Sequence, residues 1–220
     1  MGYVICIDGP AASGKSTVSR AVARKLGILY VDSGALYRIM TWQALLHGID
    51  CKDELAVSRF CETVAVDFSV SAERIAYSVG GVEPGDQIRT PEINANVSPV
   101  SAVPAVRARI TGWLRELPKL GNLIVEGRDI GSAVYPDSPF RIYLDCDPDE
   151  RSRRRLAEDL QKGFCQTQEQ VKASLLNRDR IDSSRKTAPL KKADGAIVID
   201  TTALSIDQVV DAIIDVTREK

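Results

Sequence analysis

The sequence has little of what marks several functional classes. It contains one histidine, His47, near a predicted helix end before Gly48, where capping or surface exposure is expected rather than catalysis. Its five cysteines, Cys6, Cys51, Cys61, Cys146 and Cys165, are odd in number, scattered and without a C-x-x-C pair. That excludes a disulfide framework and metal-ligand spacing, and it fits a reduced, cytoplasmic chain whose cysteines are mostly small core residues. No apolar run approaches the ~20 residues of a membrane span. The N-terminus lacks a basic n-region and a cleavage site, so no signal peptide is expected. Met1-Gly2 does not read as a myristoylation signal, because position 6 is cysteine rather than serine or threonine. There is no excess of one charge: 29 basic against 30 acidic residues leave a net charge of −1. A general attraction to nucleic acid is therefore not expected, although local basic clusters can still hold a small anion. Both tryptophans, Trp42 and Trp113, sit on helical apolar stripes and read as core. No repeat, low-complexity tract or long linker is present.

A length of 220 residues suits one α/β domain with inserts. Buried-strand patterns fall near residues 3–8, 28–32, 122–126, 140–145 and 196–200, with helical patterns between them. Five strands separated by helices predict a parallel sheet flanked by helices. Residues 64–90 alternate and then break at Gly80-Gly81, predicting a small antiparallel β insert. Thr90-Pro91 reads as a helix N-cap followed by proline, and Ser205 to Gln208 as a capping box. A charged helix begins at Asp147-Pro148-Asp149-Glu150, and a second polar helix runs from about Gln168 to Ile181.

Directly after the first strand comes Gly9-Pro10-Ala11-Ala12-Ser13-Gly14-Lys15-Ser16-Thr17, which fits G-x-x-x-x-G-K-[ST]. Glycines let backbone N–H groups converge on phosphate oxygens, and the helix behind adds its dipole. Lys15 reaches the β- and γ-phosphates, and the Ser16 hydroxyl can ligate Mg²⁺. The loop implies a nucleoside triphosphate with Mg²⁺ but not which reaction. The missing N-K-x-D motif argues against a GTPase.

Phosphoryl transfer needs positive charge around donor and acceptor phosphates. Three segments supply arginine. "DSGALYR" (32–38) and "EGRDIGS" (126–132) each follow a strand, so they fall at the carboxyl edge of the sheet, where α/β ligands bind. In "NRDRIDSSR" (177–185), Arg178, Asp182 and Arg185 recur at i, i+4 and i+7. By spacing alone, that recurrence reads most simply as a salt-bridged solvent face.

Together these motifs resemble the bacterial cytidylate kinase family, the (d)CMP kinases of the nucleoside monophosphate kinase superfamily. The matching pieces are "IDGPAASGKST", "DSGALYR", "IRTPEINANVSPVSAVPAVR", "EGRDIGSAVYPD", "RSRRR" and "NRDRIDSSRKTAPL", in family order up to about residue 190. The resemblance implies a P-loop NTPase fold with core segments 1–33, 105–150 and 187–220. It also implies a monophosphate-binding region at 34–104 and a helical lid at 151–186. It places ATP on residues 9–17 and CMP in a neighbouring pocket. Ser98, Arg107 and Asp129 would line the cytosine site, and Arg38 and Arg128 would hold the CMP phosphate. Arg178 and Asp182 would address the sugar, with Arg185 between sugar and phosphate, while Ser33 and Tyr37 would shape the pocket. Arg151, Arg154 and Arg155 match the basic start of the lid. Lys15, Arg128, Arg154 and Arg185 would stabilise the transferring phosphoryl group. Pro91 and Pro99 depart from the expected pattern, as does Ser132, which stands where threonine is expected.

The implied reaction is ATP + (d)CMP = ADP + (d)CDP, with Mg²⁺ accompanying ATP and no covalent enzyme intermediate. Cytosine offers an N4 amino donor where uracil has an acceptor, and a buried aspartate discriminates between them. Rival readings are a kinase of UMP, a non-catalytic ATP-binding regulatory protein, and a small-metabolite kinase of the shikimate kinase type. The acceptor-side arginines count against the second, and the long insert counts against the third. A monomer is expected, since no long exposed apolar stripe is evident.

Overall fold

The computed structural model describes residues 2–161, 163 and 165–218. Its frame is β1 (Val4–Asp8), α1 (Lys15–Leu26), β2 (Leu29–Asp32), α2 (Ser33–Leu46) and α3 (Glu54–Cys61). A hairpin follows, β3 (Asp67–Ser71) and β4 (Arg74–Ser78), then α4 (Pro91–Ala102), α5 (Pro104–Glu116) and β5 (Leu123–Gly127). The chain closes with β6 (Phe140–Asp145), α6 (Pro148–Gln161), α7 (Gln168–Ser184), β7 (Ile197–Asp200) and α8 (Ile206–Arg218).

The strands lie in the order β3-β4-β2-β5-β1-β6-β7. Five of them, β2, β5, β1, β6 and β7, are parallel throughout, as the strand–helix alternation predicts. The insert departs from expectation. Its antiparallel hairpin is not a separate sheet but extends the main one to seven strands, through one parallel pair, Tyr30 with Arg74. The hairpin thereby covers the β2 edge, and an uncovered edge is a ready template for another strand. Helix α3 was also not anticipated. Asp53 caps it, accepting from Leu55 N and Ala56 N.

Alternation along the strands divides the core. Val4, Cys6, Val31 and Val125 face Leu36, Met40, Ile110 and Leu114 of α2 and α5. Ile5, Ile7, Ile124 and Leu144 face Val18 and Val22 of α1 and Val210 and Ile213 of α8. Both faces of a parallel sheet must be covered, which is why these strands read as continuous apolar runs. Truncating Ile7, fully buried, to alanine costs roughly 2–5 kcal/mol in transfer and cavity terms. Trp42 and Trp113 pack against the first layer, as expected. His47 sits at the C-terminal cap of α2, its Nδ1 2.9 Å from Gln43 O.

Because five strands run the same way, Asp8, Asp32, Gly127, Asp145 and Asp200 all end at one edge. Every segment singled out by sequence, apart from those on α4 to α7, leaves the sheet there. Thr90 caps α4, with Pro91 in its first turn. Pro99 is accommodated inside α4 and Pro104 opens α5 after the break at Val103.

Candidate active site

The donor loop spans Gly9 to Ser16. Asp32, Asp53, Thr90 and Thr167 cap α2, α3, α4 and α7 with their side chains. Helix α1 has no side-chain cap, Gly14 at its N-cap position, and no acidic residue in its first turn. Its free N–H groups and positive dipole end are left for an external anion. The backbone is bent to suit. Gly9, Ala12 and Gly14 have φ of +152°, +59° and +91°. A Cβ on Gly9 would lie 2.2 Å from Leu144 O, so only glycine fits beside β6.

Lys15 is buried and curls back over the loop, donating to Pro10 O and to Ser13 Oγ. Burial, followed by the nearby Arg128, holds its pKa well below the ordinary lysine value. Ser16 is within hydrogen-bonding reach of Glu126, a buried carboxylate at the end of β5. Glu126 accepts from Tyr30 Oη, and burial and the nearby Asp32 raise its pKa. Thr17 is exposed on the first turn of α1.

The acceptor-side residues come from five elements or their ends. Arg107 on α5 and Asp129 after β5 form a buried ion pair, 2% and 3% exposed. Arg107 also donates to Ser101 O at 3.0 Å, and its guanidinium lies over the Tyr37 ring at 5.3 Å. Its Nε is buried without a partner among the described residues. Native interiors leave few such donors unsatisfied. Ser98 is buried one turn before Ser101, whose hydroxyl donates to Ser98 O. Ser33 is buried beneath the site and donates to Glu126 O at 2.6 Å.

Asp182 does not lie on a solvent face. It is buried and takes Arg128 Nε at 3.1 Å and Arg185 Nη2 at 2.7 Å. Arg185 is the C-cap residue of α7 rather than a member of it, which turns its side chain back onto Asp182. The solvated salt-bridge pattern suggested by spacing is thus replaced by an inward-facing one. Arg38 donates to Ile88 O and Asn94 Oδ1. Burial, then Arg178 and Arg89, lowers its pKa to about 9, and burial and Arg128 lower that of Arg178 to about 10. These shifts share their causes with that of Lys15: burial first, then neighbouring cations.

The basic start of α6 does not act as a set. Arg154 lies beside the donor loop, its Nη1 3.8 Å from where a Gly14 Cβ would sit, and it donates to Thr201 O at 2.7 Å. Its carboxylate partner is Glu150 of the same helix, at 2.8 Å. Arg155 pairs with the buried Asp159. Arg151 is buried and turned towards the loop, donating to Ala11 O and Cys146 O.

This geometry is a phosphate loop beside an arginine pocket closed by a buried Arg–Asp pair. Residues 5–219 match the family model described as cytidylate kinase. The chain belongs to the cytidylate kinase family. A cytidylate kinase from Shouchella clausii (strain KSM-K16) is 43% identical, covering 99% of this chain and 97% of that relative. Another from Mycolicibacterium paratuberculosis (strain ATCC BAA-968 / K-10) is 41% identical, with 99% and 96% covered. Among solved structures, an uncharacterized protein from Eubacterium ventriosum ATCC 27560 superposes with a TM-score of 0.55 over 99% of each chain. At 14% identity that likeness concerns the fold alone.

Sequence reasoning missed several members of the site of this cytidylate kinase family protein. Asp8, at the end of β1, accepts from Ile130 N at 2.8 Å and Gly131 N at 2.7 Å, which fixes the turn carrying Arg128 and Asp129. Burial pushes its pKa up to about 7, against the pull of those two donors. Glu126 opens the EGRDIGS motif, and an acidic residue closing a buried strand is the signal that marks it. Asn94, which holds Arg38, and Thr201, which donates to Ser13 O, carried no signal.

Proposed function

We propose that this cytidylate kinase family enzyme transfers the γ-phosphoryl group of ATP to CMP and dCMP by direct in-line displacement, yielding ADP and (d)CDP. The carrying observation is the arginine cluster between the uncapped helix α1 and the buried Arg107–Asp129 pair. A phosphate monoester is largely ionised at neutral pH, with a second pKa of about 6, so its oxygen attacks without a base. A bond forms between that oxygen and the γ-phosphorus, and the bond to the β–γ bridging oxygen breaks. Positioning and charge neutralisation suffice.

In this reading the phosphate loop, residues 9–17 with Lys15 among them, holds the triphosphate. Arg38 and Arg128 take the acceptor phosphate, and Arg178, Asp182 and Arg185 take the sugar and the adjoining phosphate. The free Arg107 Nε and the Asp129 carboxylate meet the acceptor and donor edges of cytosine. Ser98, Ser33 and Tyr37 shape the wall, and Arg154 braces the donor side. Mg²⁺, when bound, neutralises phosphate charge. It prefers oxygen ligands and retains waters, so the Ser16 hydroxyl, with Glu126 behind it, suits the ion. Residues 34–104 form the monophosphate-binding region and 151–186 the lid, whose closure excludes water. A monomer is proposed. The described cysteines are free thiols, four of them buried, which suits a cytoplasmic enzyme.

The test is ADP formation from MgATP with CMP, dCMP, UMP, AMP, GMP or shikimate, alongside a tube without acceptor. Strong turnover with CMP and dCMP, and little with UMP, is expected. Preference for UMP would instead make it a kinase of that monophosphate. Equal ADP release in every tube would refute acceptor phosphorylation altogether.

A further inference from the structure

Asp179 has no role in the site described above, yet it is where helix α7 meets the phosphate loop. Its Oδ1 accepts from Ala11 N at 3.0 Å, and its Oδ2 pairs with the buried Arg151. Arg151 also donates to Ala11 O at 3.1 Å and Cys146 O at 3.1 Å. Both backbone polar groups of Ala11 are thus held by lid-helix side chains, the N–H from α7 and the carbonyl from α6. Apolar packing completes the joint: Ala11, Val171 and Leu175 form a buried cluster, with Ala12 and Leu156 against it. Ala12 keeps its left-handed φ of +59° inside this joint. Such a conformation persists where the surroundings over-determine it.

Arg178, Asp179 and Asp182 lie on one continuous helix, α7, so the anchoring of Asp179 also sets its neighbour Arg178 and, one turn on, Asp182. We propose that Asp179, neutralised by Arg151, is a positioning residue that docks the lid helix on the phosphate loop and thereby places Arg178 and Asp182 in the acceptor pocket. The pairing with Arg151 also explains how a carboxylate can sit beside a loop built for triphosphate: its charge is cancelled where it stands. The inference rests on the acceptor-site reading given above.

Steady-state kinetics of Asp179→Ala, Asp179→Asn and Arg178→Ala test it, with melting temperatures measured alongside. Asp179→Ala is expected to raise KM for CMP about tenfold and to lower kcat. KM for ATP should rise less than KM for CMP, because Asp179 bonds Ala11 of the loop but none of the N-terminal amides of α1. Tenfold corresponds to about 1.4 kcal/mol. Asp179→Asn keeps an oxygen for the Ala11 N–H and should fall between. A drop in kcat with both KM values unchanged would mean a merely structural residue and would overturn the proposal. So would an equal rise in both KM values, which would mean loop support without acceptor placement. Arg178→Ala separates the premises. If it leaves KM for CMP unchanged, the acceptor-site reading fails; if it raises that KM while Asp179→Ala does not, the docking inference alone fails. Should Asp179→Ala not fold, a wild-type KM for CMP in Asp179→Asn overturns the proposal.

Discussion

Replacing Asp129 with asparagine removes one charge from the buried ion pair at the proposed base site. In the wild type the carboxylate faces Arg107, and both are nearly inaccessible to water. Arg107 keeps its bond to Ser101 O and its stacking on Tyr37 in the variant, and the asparagine oxygen can still accept. The pocket therefore persists, with a modest fall in melting temperature rather than the roughly 3–5 kcal/mol of a buried charge left wholly unpaired. Recognition suffers more. A hydrogen bond to a charged partner is worth about 1.5–3 kcal/mol, which at about 1.4 kcal/mol per decade predicts a roughly 10- to 150-fold loss in kcat/KM for CMP. UMP should not lose this, because the asparagine amide can donate to the uracil oxygen that a carboxylate repels. The assay is coupled ADP release with CMP and UMP at saturating MgATP, on protein whose melting curve shows it folded. The CMP-to-UMP ratio of kcat/KM should fall by at least about tenfold. A folded variant with the wild-type ratio would show that Asp129 does not read the base.

Lys15→Ala should keep the fold and lower kcat by about 10²–10³, the scale expected for removing one preorganised charge stabiliser; single-turnover kinetics check it. Gly9→Ala should be much worse than Gly14→Ala in thermal melts and in ATP affinity. The first drives a Cβ into Leu144 O, whereas the second meets nothing closer than Arg154 Nη1 and bears only about 1–2 kcal/mol of left-handed strain. Glu150→Gln tests the support of Arg154, whose Nε donates to the Glu150 carboxylate at 2.8 Å. Hydrogen bonds from Arg153 and then Arg154 pull the Glu150 carboxyl down to about 2 from 4.5. Its stabilisation is therefore fully present above about pH 4.5 and lost as pH falls towards 2. The melting-temperature gap between wild type and variant should be widest near neutrality and close over that window.

Local signals were enough wherever neighbouring residues decide structure. The phosphate loop, the five parallel strands, the Thr90-Pro91 start of α4 and the Ser205–Gln208 capping box are all short-range patterns, and Ser205 and Gln208 do bond reciprocally. The hairpin at 67–78 was legible as antiparallel, but its junction with β2 was not, since strand pairing across 40 or more residues leaves no local trace. Asp8, Asn94, Asp179 and Thr201 were illegible for the same reason: their partners lie 122, 56, 168 and 188 residues away.

The sequence by itself determined the donor chemistry, because a glycine loop between a strand and a helix is a self-contained device whose ligand follows from its backbone. It also placed the arginine-bearing segments 32–38 and 126–132 at the carboxyl edge of the sheet. Only the tertiary structure decided which way the polar face of α7 turns. Spacing made Arg178, Asp182 and Arg185 look solvated. Packing of α7 on the phosphate loop, with Asp179 against Ala11, turned Asp182 and Arg185 inward and brought Arg178 to their side. The periodicity of a helix tells which residues share a face, but not what that face will meet.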